Sequence, residues 1–205
     1  MSSRSSSERL PAVAVAVALA VSLSACQKKD DPPASVSPPV GVLQPSDLAG
    51  NPAPKMLGQD EGVTRYCGPV PEMEIQKDAE SRYFVEYKLD DRTVVRSYKY
   101  TYGTEKKRTE DIARLQAGIS RCVASNVGIG ADDEKFTAVS GLPTTAAGYH
   151  TSQQDGSDFR IGERVWASRG DKEIVSVVVL YEGGPNLDKL PADAAELAAK
   201  AAAES

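Results

Sequence analysis

The chain carries one histidine and three cysteines in 205 residues, so nucleophilic and metal chemistry have few places to start. His150, within Tyr149-His150-Thr151, would need a nucleophile or a carboxylate placed around it to act as a base. No Gly-x-Ser-x-Gly elbow and no Ser-x-x-Lys box accompanies it, so it reads as a strand histidine and no catalytic residue is assigned. With one histidine, a metal would depend on carboxylates. Asp132-Asp133-Glu134 is a short acidic turn without the spaced ligands of a calcium loop. Gly128-Ile129-Gly130 is not followed by the Gly-Lys-Ser/Thr of a phosphate loop, and it serves better as a helix end. Arg169-Gly170-Asp171 matches an adhesion tripeptide in letters, and a hairpin turn accounts for it. No metal and no cofactor is expected.

The aromatic residues offer binding rather than catalysis. Tyr98, Tyr100 and Tyr102 alternate along one strand, Tyr83 and Tyr87 lie on its neighbour, and Trp166 sits on a later hairpin. An ordinary sheet core is the favoured reading for most of them, but aromatic rings with polar tips also suit a half-wet binding surface. Tyr98, Tyr100, Tyr102 and Trp166 are therefore the candidate ligand surface, on the face beside the helix.

The elements that must position these residues are legible as periodicities. Arg82–Leu89 and Val94–Tyr102 alternate apolar and polar around Asp90-Asp91, which predicts a β-hairpin. From Glu105 to Ala124 the period changes. Ile112, Leu115, Ile119, Cys122 and Val123 follow the spacing of one helix face, so Cys122 should point to the core. Phe136–Val139 and Ala146–Thr151 are short strand candidates. Phe159–Ser168 and Glu173–Tyr181 form a second hairpin, whose last strand is apolar enough to be covered on both faces. An alanine-rich helix over Pro191–Glu204 closes the chain. The expected fold class is α+β, an antiparallel sheet with helices packed on one side.

The first 25 residues read as an export signal. Arg4 and Arg9 precede an apolar run from Leu10 to Val21, too short to cross a bilayer, and small residues follow. Leu23-Ser24-Ala25-Cys26 resembles the lipobox of bacterial lipoproteins at all four positions. The resemblance implies cleavage before Cys26 and lipid on its thiol, with the mature chain held at the outer face of the cell membrane. The alternative is an ordinary signal peptide with an incidental cysteine. With Cys26 committed to lipid, Cys67 and Cys122 remain as an even pair, and an oxidising compartment favours a disulfide between them over two free buried thiols. Such a bond would stabilise the fold by about 4 kcal/mol.

Residues 26–60 read as a tether, with Pro32-Pro33, Pro38-Pro39, Pro45, Pro52 and Pro54 and no aromatics. One domain over residues 61–205 follows. The net charge of −5, and the absence of a basic stripe with interleaved aromatics, argue against a nucleic-acid partner.

The order of pieces resembles the extracellular sensor domain of certain actinobacterial serine/threonine kinases, and stand-alone lipoproteins that share it. A strand (Tyr98–Tyr102) precedes a helix ending in a cysteine (Arg121-Cys122), and a hairpin (Phe159–Tyr181) precedes a closing Ala-rich helix (Ala192–Glu204). Ile119-Ser120-Arg121 stands where the family often has a tryptophan, and no ligand residues carry over. The resemblance implies an extracytoplasmic sensing or binding module without catalysis, and with the anchor, the tether and the lack of catalytic groups it points to a small or lipid-like ligand. The alternatives are an envelope interaction protein without a ligand, and a hydrolase built on His150.

Overall fold

The structure is a computed structural model, and it describes residues 37–58, 78–125, 135–155, 157–184 and 189–203. They belong to the compact unit Val36–Ser205. The expected leader, Cys26, Cys67, Gly128-Ile129-Gly130 and Asp132-Asp133-Glu134 lie outside the described residues.

Seven strands form one sheet: β1 (Met56–Gly58), β2 (Ser81–Lys88), β3 (Thr93–Thr101), β4 (Lys135–Ala138), β5 (Ala146–Asp155), β6 (Asp158–Arg169) and β7 (Glu173–Glu182). Their spatial order is β1-β2-β3-β7-β6-β5-β4, and every neighbouring pair is antiparallel. Two helices complete the fold: α1 (Glu105–Ser125) joins β3 to β4, and α2 (Ala194–Ala203) follows β7. The α+β class, both hairpins and both helices match the sequence reading. The Asp90 carboxylate closes the first hairpin by accepting from the Arg92 and Thr93 amides, each at 2.7 Å.

The sequence reading placed both helices on one side of the sheet, and the structure places them on opposite sides. β7 is the central strand, and its alternate residues feed two separate cores. Val175, Val177, Val179 and Tyr181 pack with Leu197, Ala198 and Ala201 of α2. Ile174 and Val178 pack with Ile112, Leu115 and Ile119 of α1. A strand that is apolar on both faces needs cover on both, because leaving either face wet forfeits roughly 25 cal/mol for each Å² of apolar surface. The near-continuous apolar run of β7 carried that information.

The second correction concerns residues 37–58, which belong to the fold rather than to a tether. Val42, Leu43 and Leu48 are buried in the α2-side core. The Leu43 amide donates to Ser97 Oγ at 3.1 Å, and Tyr87 Oη donates to the Leu43 carbonyl at 2.6 Å. Lys99 Nζ donates to the Val40 carbonyl at 2.8 Å. Gly41 turns the strap at φ +87, where a Cβ would meet Lys99 Cδ at 2.8 Å, so glycine is needed twice over. A short turn at Pro45–Asp47 then leads to β1. Proline content hid the strap because the apolar residues that dock it are too few to form a period.

Candidate functional site

The α1-facing side of the sheet is built from aromatic rings around one buried arginine. β2 contributes Phe84, β3 contributes Tyr98 and Tyr100, β6 contributes Trp166, β5 contributes Tyr149 and β4 contributes Phe136. The registers Tyr98↔Ser176 and Trp166↔Ser176 place Ser176 of β7 between two of these rings. Serine leaves a gap in the row, and Arg164 fills it. The guanidinium carbon lies 4.5 Å from the Trp166 ring centre and 5.0 Å from that of Tyr98. Arg164 Nε donates to Ser176 Oγ at 3.0 Å, and Nη2 donates to the Tyr100 hydroxyl at 3.1 Å. The side chain is 1% exposed. Each ring–guanidinium contact in such a dry setting contributes about 2 kcal/mol, which helps to offset the cost of burying the charge. Around this centre Tyr98 stacks on Tyr100 and Phe84, each at 6.1 Å, and Tyr149 tilts against Trp166 at 5.7 Å and Phe136 at 5.8 Å.

A second polar group joins this layer to α1. Asp111 is 0% exposed. Its carboxylate is within electrostatic reach of the Tyr102 hydroxyl, and it pairs with Arg114 Nη1 at 2.9 Å. Arg114 Nη2 reaches on to Asp78, ahead of β2, at 3.2 Å. Burial pushes the Asp111 carboxyl up to about 6, against the opposing pull of Arg114 and Tyr102. Burial also pushes the Tyr102 hydroxyl well up, reinforced by the Asp111 charge. The phenol therefore stays neutral.

Tyr98, Tyr100, Tyr102 and Trp166 are thus brought together, but as core. All four are buried beneath α1, so none is a ligand surface as the domain stands. Tyr83 and Tyr87 belong to the opposite face: Tyr87 is in the α2-side core and Tyr83 packs against it. The sequence reading missed Arg164 and Asp111. Alternation places the arginine on the strand face of Trp166 but does not say that this face is covered. Asp111 stands four residues before Leu115, in line with the apolar helix stripe, and that spacing was the signal for its burial.

The other candidates separate. His150 Nδ1 is 3.8 Å from Glu163, directly across the β5–β6 ladder. Arg169 pairs with Glu173 and is mostly covered, so the adhesion-like tripeptide is a hairpin turn whose Asp171 carbonyl accepts from Arg108 Nε at 3.0 Å. Cys122 is buried on the α1 stripe, as the helical spacing predicted. No group of three His, Cys, Asp or Glu side chains suited to a metal occurs among the described residues. No helix among them is long and apolar enough to cross a membrane.

One cleft opens beside α1. It is about 340 Å³, between Gln116, Ile119 and Ser120 of the helix and the loop that runs from Ala138 to Gly148. Gln116 Nε2 ties its two walls by donating to the Thr144 and Ala146 carbonyls at 2.9 and 3.0 Å. Gly148 lets the loop turn over the sheet, since a Cβ there would lie 3.0 Å from both Leu142 and Val165 side-chain carbons.

The chain shares its fold with the extracellular domain of PknH from Mycobacterium tuberculosis, at 13% identity and a TM-score of 0.50. The match covers 73% of this chain and 81% of that one. No protein-family model and no curated protein sequence matches the chain.

Proposed function

We propose that this protein is a non-catalytic binding or sensor module of the cell envelope, held at the outer face of the membrane by lipid on Cys26. The observation that carries the binding role is the composition of the α1-side layer. The same sheet packs α2 with valine, leucine, alanine and two tyrosines, yet beneath α1 it buries the charged groups Arg164 and Asp111 among a row of aromatic rings. A helix–sheet contact that needed only stability would be aliphatic, since buried polar groups cost free energy unless every partner is supplied. The fold held in common with an extracellular kinase domain is in keeping with this role.

The anchor rests on the apolar leader and on Leu23-Ser24-Ala25-Cys26. The strap gives the tether a length. Between Cys26 and the first described residue, Ser37, lie residues 27–36, which span at most about 35 Å fully extended. The domain would therefore stand close to the membrane. Cys67 would pair with the buried Cys122 and fix the segment ahead of β2 to the helix.

Mass spectrometry of the mature protein, recorded natively and then denatured without reductant, tests each part. The denatured mass reports lipid on Cys26 and the Cys67–Cys122 bond. A native mass that exceeds the denatured one, and that disappears in Arg164→Met, is expected for a ligand held beneath α1. Equal masses from protein prepared out of envelope extract, with no shift of thermal unfolding by any extract fraction, would overturn the binding reading while leaving the anchor to stand or fall on its own mass.

A further inference from the structure

The strap enters the fold through a braced turn with an apolar corner. The Val42 amide donates to the Pro39 carbonyl at 3.4 Å, and Gly41 takes φ +87, the pattern of a type II turn with Val40 at its first corner. Gln44 Nε2 donates to the Pro38 and Pro39 carbonyls, each at 3.3 Å, and Lys99 Nζ donates to the Val40 carbonyl at 2.8 Å. Val42 is buried behind the turn, so the corner is held rigidly. Val40 itself is 53% exposed, the one large apolar side chain left so open among the described residues. Turn corners favour residues that suit the backbone shape or bond to it, and an outward valine does neither.

The turn sits at one end of the sheet. Gly41 lies against Lys99 of β3, Arg169 of β6 and Glu173 of β7. The registers Arg169↔Glu173 and Thr101↔Glu173 place the β6–β7 turn at that end. The start of α1 is there too, since Arg108 Nε donates to the Asp171 carbonyl at 3.0 Å. The opposite end, at the β2–β3 turn, lies the length of β3 away, nine residues or about 30 Å. Residues 27–36 reach at most about 35 Å and join the fold at the Val40 end. For the opposite end to touch the membrane, almost that whole length would have to run alongside the sheet.

We propose that the Val40 turn and the adjoining end of the sheet are the surface by which the domain rests on a phospholipid membrane, with Val40 entering the interface and Lys107 and Lys172 reaching the phosphates, a reading that rests on the lipid anchor proposed above. Both lysines are exposed, and neither carries an ion pair among the described residues. Lysine stems can lie along an interface while their ammonium groups stay at the headgroups. Asp171 and Glu80 are exposed at the same end, so charge is nearly balanced there and the apolar contact carries the docking. Burying the open half of a valine favours one orientation by about threefold. The anchor supplies the affinity, so the turn has only to orient the domain.

The test uses the full mature chain in vesicles of phosphatidylcholine and phosphatidylglycerol, with and without bromine on the acyl chains. Val40→Trp is compared with Asp91→Trp, whose site is fully exposed at the opposite end. Trp166 is buried and gives the background signal in the parent chain. An interfacial side chain sits about 5–10 Å into the headgroup boundary, so bromine should lower the added fluorescence of Val40→Trp about twofold and leave that of Asp91→Trp unchanged. Equal quenching at the two positions, or none in Val40→Trp, would overturn the proposal. A blue shift without quenching would assign Val40 to a protein contact, such as a second copy of this chain, and would overturn it as well. Should Val40→Trp fail to fold, hydrogen exchange of the wild-type chain decides. Vesicles that slow the Gly170–Lys172 amides but not those of Asp90–Arg92 support the docked end, and no difference overturns it. The mass of the purified chain checks the anchor separately. Without lipid on Cys26 the anchor and the docked surface fall together, whereas a lipidated chain with unquenched Val40→Trp loses only the docked surface.

Discussion

The two faces of the sheet solve the same problem with different materials. On the α2 side, Val177, Val179, Leu43 and Leu197 meet as aliphatic surfaces, and the strap from residue 37 onward completes the cover. On the α1 side, rings meet a guanidinium and a carboxylate, and Arg164 is held by Ser176 and the Tyr100 hydroxyl. The first kind of interface tolerates exchange of one aliphatic residue for another of similar volume. The second does not, because each polar group left alone in a dry layer forfeits its hydrogen bonds with water as well as its partner. A face that buries charge invites a functional explanation, and a face that buries none needs only packing and its few neutral hydrogen bonds.

This contrast can be broken by substitution. Arg164→Ala should have the largest effect, about 4 kcal/mol in denaturant unfolding, because it empties the space between Tyr98 and Trp166 and strips the Ser176 and Tyr100 hydroxyls of a donor. A loss below about 1 kcal/mol would show the arginine to be dispensable to the layer. Leu43→Ala should cost about 3 kcal/mol by leaving a cavity under the strap. A negligible loss would mean that residues 37–58 are not part of the folding unit.

Tyr102→Phe sharpens the comparison further. It removes the hydroxyl that supports the Asp111 carboxylate and should cost about 1–2 kcal/mol near pH 7. The cost should shrink below pH 5, where Asp111 is neutral, and a loss independent of pH would point to packing alone. His150→Ala should change stability by less than about 0.5 kcal/mol, since the side chain is part-exposed and meets Glu163 only at 3.8 Å. A larger effect would give that edge of the sheet a role that its geometry does not suggest.

Of the candidate site, the sequence showed the rings but not their purpose. Tyr98, Tyr100 and Tyr102 announced themselves by alternation, and the structure assigns them to a core face with α1 above it. Their burial could not be read from spacing, because alternation says which residues share a face and not what covers that face. Arg164 was missed because an arginine in a strand usually marks the wet side. Here Ser176, on a neighbouring strand, makes room for it, and that pairing exists only once β6 and β7 are in register.

The sequence by itself determined the elements: both hairpins, the amphipathic helix with Cys122 on its inner stripe, the closing alanine-rich helix, and a central strand apolar on both sides. These are local properties, set by side-chain period and by turn residues. Only the tertiary structure decided that the helices lie on opposite faces and that a proline-rich stretch docks as a strap. It alone enclosed Arg164 and Asp111 within one layer. Those outcomes depend on which strands become neighbours. Neighbourhood in a sheet is fixed by contacts among residues far apart in the chain, such as Ser176 with Tyr98, which no window along the sequence contains.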